Sequence, residues 1–156
     1  MNESPDKILS LLKSAQPHEI VLEKVLREVL QQFRSETGTI HRLDNENQLL
    51  YLAAQIGLPP QILEVVKTIP VGKGIAGQVV AQNKPLTICN LQTDSSGVAK
   101  PGAKQTGVGG ALCVPLRDGE KTVGTIGIGT IRQHEYTPDE TRELEEIGRL
   151  IGRFIG

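Results

Sequence analysis

Apolar residues recur at three- and four-residue steps through Val21, Leu22, Val25, Leu26, Val29, Leu30 and Phe33. That spacing predicts an amphipathic helix from about His18 to Arg34 with one long apolar stripe. Ahead of it, Ser4-Pro5-Asp6 offers a cap and a proline suited to a first turn, and Ile8, Leu9, Leu11 and Leu12 follow. A short helix is expected there, ending at Pro17. The period then changes. Thr39 to Leu43 and Leu49 to Ala54 read as two strands joined by the turn Asp44-Asn45-Glu46-Asn47. Pro59-Pro60 opens a short helix through Ile62, Leu63, Val65 and Val66, and after Ile69-Pro70 a glycine loop leads into a helix over about Gly74 to Gln82.

Pro85 to Cys89 reads as a short strand, and Asn90 to Gly110 as one long polar loop, of a length that in compact domains is uncommon and usually functional. Two more strands are expected, Ala111 to Leu116 and Thr122 to Ile131, with Asp118-Gly119 as the hairpin turn between them. Thr137-Pro138-Asp139-Glu140 then caps a last helix with Leu144, Ile147, Ile151, Phe154 and Ile155 on its apolar side. Tight hairpins make antiparallel pairs. The class is therefore α+β: a mainly antiparallel sheet of five to six strands, with helices packed on it. Residues 1–16 form an N-terminal extension and residues 17–156 a single domain.

Composition narrows the function. With 156 residues, 38% hydrophobic and 22% charged, the chain is an ordinary globular domain with a proper core. A net charge of -1 and 3% aromatic residues argue against a nucleic-acid binder, which needs basic charge and stacking rings. Two cysteines, Cys89 and Cys113, are too few for a disulfide framework and lack metal-ligand spacing. No apolar run approaches the roughly 20 residues that span a bilayer, and the polar, acidic start is no signal peptide. A cytoplasmic location is expected.

Gly72-Lys73-Gly74-Ile75-Ala76-Gly77 spells G-x-G-x-x-G, with Asp94 near the position where a dinucleotide-binding unit holds a ribose. Such a unit needs a parallel βαβ setting. Here the preceding strand ends in Pro70, the helix is short and Asp94 lies in the long loop. The glycines serve a sharp turn instead.

That stretch has another likeness. "IPVGKGIAGQVVAQNKPLTICNL", "GGALCVPLRDGEKTVGTIGIG" and "EYTPDETRELEEIGRLIGRFI" follow one another in the order found in GAF domains, and the chain resembles that family from about Val21 to its end. The resemblance implies a sheet with the N- and C-terminal helices on one face, and short helices plus the long loop over a ligand pocket on the other. The pleat of the last two strands separates Leu112, Val114, Leu116, Ile126 and Ile128 from Ala111, Cys113, Pro115, Thr125, Gly127 and Gly129. The small-residue face is the expected pocket floor. Candidate ligand-binding residues are Ile75, Val79, Cys89, Thr106, Gly107, Ala111, Cys113, Gly127 and Gly129. The plainer account is that small residues let a helix pack closely on the sheet.

The family also implies a choice between sensor and enzyme. One branch reduces free methionine-R-sulfoxide with cysteines; at the matching positions this chain has Ala76 and Leu86, no cysteine in the 90–110 loop, and Gly127 and Gly129 in place of paired aspartates. Cys89 and Cys113 sit in β-rich apolar segments, where thiols are usually inert. His18, His41 and His134 are far apart and carry no metal spacing. Cyclic-nucleotide binders of the family have an Asn-Lys pair and an Asp-Glu where this chain has Thr130-Ile131 and Glu140-Thr141, and Asn83-Lys84 is elsewhere. No cysteine stands in the context of covalent bilin attachment, and no haem ligand is evident. The expectation is a non-catalytic sensory module with an unidentified small ligand and an unknown cofactor. The alternatives are a thiol-dependent reductase and a ligand-free dimerisation scaffold. A homodimer through helices 18–34 and 138–155, and an attached output domain, fit the family pattern. Lys100, Lys104 and Gln105 in the long loop are within reach of an anion or simply solvated.

Overall fold

The computed structural model describes residues 4–88 and 109–156. In chain order the elements are α1 (Ser4–Leu12), α2 (His18–Gln32), β1 (Thr37–Asp44), β2 (Leu49–Ile56), α3 (Pro60–Val66), β3 (Thr68–Pro70), α4 (Gly74–Gln82), β4 (Leu86–Ile88), β5 (Gly110–Asp118), β6 (Lys121–Thr130) and α5 (Pro138–Ile155). The six strands form one sheet in the order β3-β2-β1-β6-β5-β4. Every neighbouring pair is antiparallel. This is the α+β class expected from the sequence.

Period-two alternation turns Ile40, Leu112, Val114, Leu116, Ile126 and Ile128 to one face, where they meet the stripes of α2 and α5. Val21, Leu22, Val25, Leu26, Val29 and Leu30 along α2, Phe33 just after it, and Leu144, Ile147 and Ile151 along α5 are buried in this layer, and Ile8 and Leu12 of α1 join it. Burial of each such side chain stabilises the fold by about 1.5–3 kcal/mol. The outward faces of the two long helices carry charge: Glu19, Glu23, Lys24 and Arg27 on α2, Arg142, Glu146, Arg149 and Arg153 on α5, all exposed. Among the described residues no helix is long and apolar enough to cross a membrane.

Helix ends follow from local chemistry. Thr137 and Glu140 form the reciprocal capping box at the start of α5. Helix α2 stops at Gln32 because Arg34 takes a left-handed conformation (φ 51°), with Arg34 N–H donating to Gln31 and Ser35 N–H to Leu30. That is a Schellman closure with arginine in the usual glycine place. Helix α4 ends in the same way at Asn83 (φ 54°), whose successor Lys84 donates to Val79. On the buried side of α5, Gly148 and Gly152 rest on the β5 backbone. A Cβ added at Gly152 would stand 2.2 Å from the Arg117 carbonyl oxygen, and one at Gly148 3.1 Å from that of Pro115. At Gly152 only glycine permits so close a contact, whereas at Gly148 a shift of a few tenths of an ångström would admit a methyl group.

Candidate functional site

The second face of the sheet is built from rungs of paired residues. One rung runs Cys113, Gly127, Thr39, Gln55 across β5, β6, β1 and β2. The next runs Pro115, Thr125, His41, Leu52, and on the other side lies Ala111, Gly129, Thr37. Helix α4 packs over β5 and β6 on this side. Val79 is fully buried beneath it, while Ile75, one turn earlier, is half-buried. Leu50 and Ile62 add apolar wall outside the helix-side core.

Of the candidate ligand-binding residues, Ala111, Cys113, Gly127 and Gly129 share this floor, and Ile75 and Val79 share the covering helix. Cys89, Thr106 and Gly107 lie outside the described residues, as does most of the loop expected to close the pocket.

The floor has room at Gly127. The three atoms nearest to a Cβ built there belong to its strand neighbours: Thr39 Oγ1 at 3.4 Å, Cys113 Sγ at 3.7 Å and Cys113 Cβ at 3.9 Å. No atom of α4 comes nearer, so close helix packing does not account for this glycine. Gly127, Thr39, Gln55 and Ala111 are all only partly buried. Thr39, His41 and Gln55 were not singled out from the sequence as pocket residues, and Thr125, placed on this face by the pleat, was not among the candidates. The signal was present in β1, where Thr37, Thr39 and His41 alternate with the apolar Ile40 and identify a polar second face.

Cys113 is a free, buried thiol, 4% exposed. Burial pushes its pKa up to about 12, and the Thr125 hydroxyl offsets only part of this. Such a thiol stays protonated at neutral pH and is a poor nucleophile. His41 is buried too, and burial pulls its pKa down, opposed in part by the hydrogen bond to the Val66 carbonyl. The other two histidines make ring contacts: the exposed His18 lies against Phe154 with ring centroids 4.3 Å apart, and His134 meets Tyr136 edge-on at 4.6 Å with its Nε2 3.5 Å from Glu140. Among the described residues no three His, Cys, Asp or Glu side chains are grouped to hold a metal.

The glycine loop closes on itself. Gly72 N–H donates to the Gly77 carbonyl and Gly77 N–H to that of Lys73. A Cβ at Gly77 would stand 2.5 Å from the Pro70 carbonyl oxygen. Strand β3, which precedes the loop, pairs antiparallel with β2. Among the described residues no strands pair in parallel, as a dinucleotide site would need.

One residue ties the two faces together. Arg117, near the end of β5, donates through Nη2 to the Asn83 carbonyl (2.8 Å) and side chain (3.3 Å) at the end of α4. Its Nη1 stands 3.6 Å from Glu145 of α5. Thr122 of β6 donates to the same Asn83 side-chain oxygen at 2.8 Å.

A six-stranded antiparallel sheet covered by its terminal helices on one face and by a short glycine-led helix on the other defines the architecture. The GAF domain family model matches residues 15–155, and the chain belongs to that family. Solved structures agree on the fold. The GAF domain of an Acinetobacter phosphoenolpyruvate-protein phosphotransferase superposes with a TM-score of 0.82 at 18% identity, covering 99% of this chain and 94% of that one. The A. aeolicus nlh2 GAF domain in an inactive state gives 0.75 at 22% identity, covering 97% and 93%. Free methionine-R-sulfoxide reductase from Neisseria meningitidis, in complex with its substrate, gives 0.79 at 14% identity, covering 99% and 91%. No curated protein matches the chain.

Proposed function

We propose that this GAF domain is a non-catalytic sensor that binds a small molecule on the face floored by Ala111, Cys113, Gly127 and Gly129. The observation that carries the reading is the room over Gly127, where a methyl group meets only ordinary contacts among the described residues. Sensory GAF domains and sulfoxide reductases share the fold, so the choice between them rests on chemistry. The reductase reading needs reactive thiols. Cys113 is held protonated by burial, and Ala76 and Leu86 occupy positions where the resemblance to that branch calls for cysteine.

Occupancy of the pocket acts on output only if the ligand binds two arrangements of the domain unequally. The connection through Arg117 gives such a difference a path, because the same guanidinium holds the end of α4 and the side of α5. A homodimer through α2 and α5 would pair their charged outer faces, and an attached output domain would read the arrangement of those helices.

The test is a thermal-shift screen against amino acids (methionine sulfoxide included), 2-oxo acids, cyclic nucleotides, purines, haem and bilins. A ligand at 100 times its Kd adds about 2.7 kcal/mol, which is several degrees of Tm for a domain of this size. Gly127→Val, which fills the floor, is expected to abolish that shift while leaving the unliganded Tm within a few degrees. A flat screen would favour a scaffold without ligand. Turnover of methionine-R-sulfoxide with a thiol reductant would establish the enzyme.

A further inference from the structure

A second polar feature lies deeper on the same face. His41 and Thr125 are cross-strand partners on β1 and β6. Their neighbours Ile40 and Ile126 point into the helix-side core, so these two side chains point the other way, toward α3 and α4. They are 2% and 1% exposed. The His41 Nε2 stands 2.9 Å from the carbonyl of Val66, the last residue of α3. A carbonyl only accepts, so Nε2 carries the proton, and the neutral ring leaves Nδ1 as a bare acceptor. Among the described residues Nδ1 has no hydrogen-bond partner, the Thr125 Oγ1 has only the weak Cys113 sulfur beside it and makes no hydrogen bond of good geometry, and solvent reaches neither atom.

Buried polar atoms are ordinarily paired, and an exception asks for a cause. Here two occur on directly opposed residues, one a pure acceptor and the other a hydroxyl able to donate. Their rung continues through Pro115 on one side and Leu52 on the other, and Cys113 lies on the diagonal. None of these carries a charge to offset a charged ligand group, whose burial without a partner is strongly unfavourable.

We propose that His41 Nδ1 and the Thr125 hydroxyl form the polar anchor of the pocket, and that the anchor takes an uncharged cyclic amide. The amide N–H donates to Nδ1 and its C=O accepts from the Thr125 O–H. This assignment rests on the pocket reading above and adds the ligand's chemical class to it. The orphan pair makes the closed, unliganded arrangement the less satisfied one. Entry of the amide requires α3 to move off the sheet. That helix is seven residues long, Val65 on it is 54% exposed, and the His41–Val66 hydrogen bond helps hold it down. A tertiary amide leaves Nδ1 without a donor and a carboxylate brings an unmatched charge, so both bind more weakly.

The full chain, 15N-labelled, is titrated with 2-pyrrolidinone and with N-methyl-2-pyrrolidinone, which lacks the donor. Histidine ring correlations read Nδ1 directly, and the backbone amides of Ala111 and Gly127 report occupancy of the floor. With 2-pyrrolidinone the His41 Nδ1 resonance and the floor amides are expected to move together and saturate. Its Kd is expected to be at least ten-fold below that of the methylated probe. Thr125→Val, which removes the donor to the carbonyl that both probes carry, should weaken both by a similar factor and leave most of this difference in place. By replacing an unpartnered hydroxyl with a methyl group, it should also raise the unliganded Tm by roughly 2–4 °C. Equal affinity for the two probes with the floor amides moving overturns the anchor and leaves the pocket standing. A lowered Tm in Thr125→Val overturns the premise that the hydroxyl is orphaned. Silence of His41 toward 2-pyrrolidinone overturns the cyclic-amide assignment, and a hit in the thermal-shift screen then shows the pocket reading surviving without it.

Discussion

At the residue scale His41 makes stability depend on pH in a definite direction. Its folded pKa lies below the ordinary histidine value of about 6.5. The unfolded chain therefore binds a proton at a higher pH than the folded one does. Stability from this group is fully present above that ordinary value and falls as the pH drops below it toward the lowered folded pKa. Urea unfolding at a series of pH values between 8 and 5 should show the loss, and His41→Gln should flatten it. If the variant keeps the full slope, the histidine is not the group responsible. Burial is the main cause and the opposing contribution is a backbone hydrogen bond, so added salt should change the slope little.

At the element scale the long periodic segments were legible and their ends less so. The α2 stripe is unmistakable, yet the helix stops two residues short of the expected Arg34. No glycine marks the stop, and the left-handed residue is an arginine. An L-residue in that conformation is about 1–2 kcal/mol less favourable, whereas the extra unfolded freedom of glycine costs about 0.5–1 kcal/mol. Arg34→Gly is thus expected to stabilise the protein by about 0.5–1 kcal/mol in equilibrium denaturation, and a destabilised variant would mean that the Arg34 side chain holds something in place. The floor of the candidate site was likewise legible, because small residues alternate along β5 and β6 in plain view. Its polar members on β1 were legible as a face of their strand, but not as neighbours of that floor. Thr39 meets Gly127 only through a pairing of strands nearly ninety positions apart, and His41 looks like any strand histidine until Val66 is seen across from Nε2. Periodicity reports which face a residue takes; it does not report which distant residue shares that face.

At the scale of the whole molecule the two layers meet through backbone as well as side chains. Gly152 lets α5 touch the β5 main chain at Arg117, and no side-chain rotation relieves a clash with a carbonyl. Gly152→Ala is expected to cost about 1–3 kcal/mol, the usual penalty of overpacking, and several degrees of Tm. If calorimetry shows no change, the helix rides higher on the strand than the glycine contact implies. The same contact has a further meaning for anything joined in helical continuity beyond Ile155. The strand sets the rotational phase of α5, so it also sets the compass bearing of whatever follows. One residue added at the junction would turn a fused partner by about 100°, and about seven would bring it nearly back to its starting bearing. Activity of such fusions should therefore rise and fall with linker length in steps of three to four residues, reading the angle that two glycines fix.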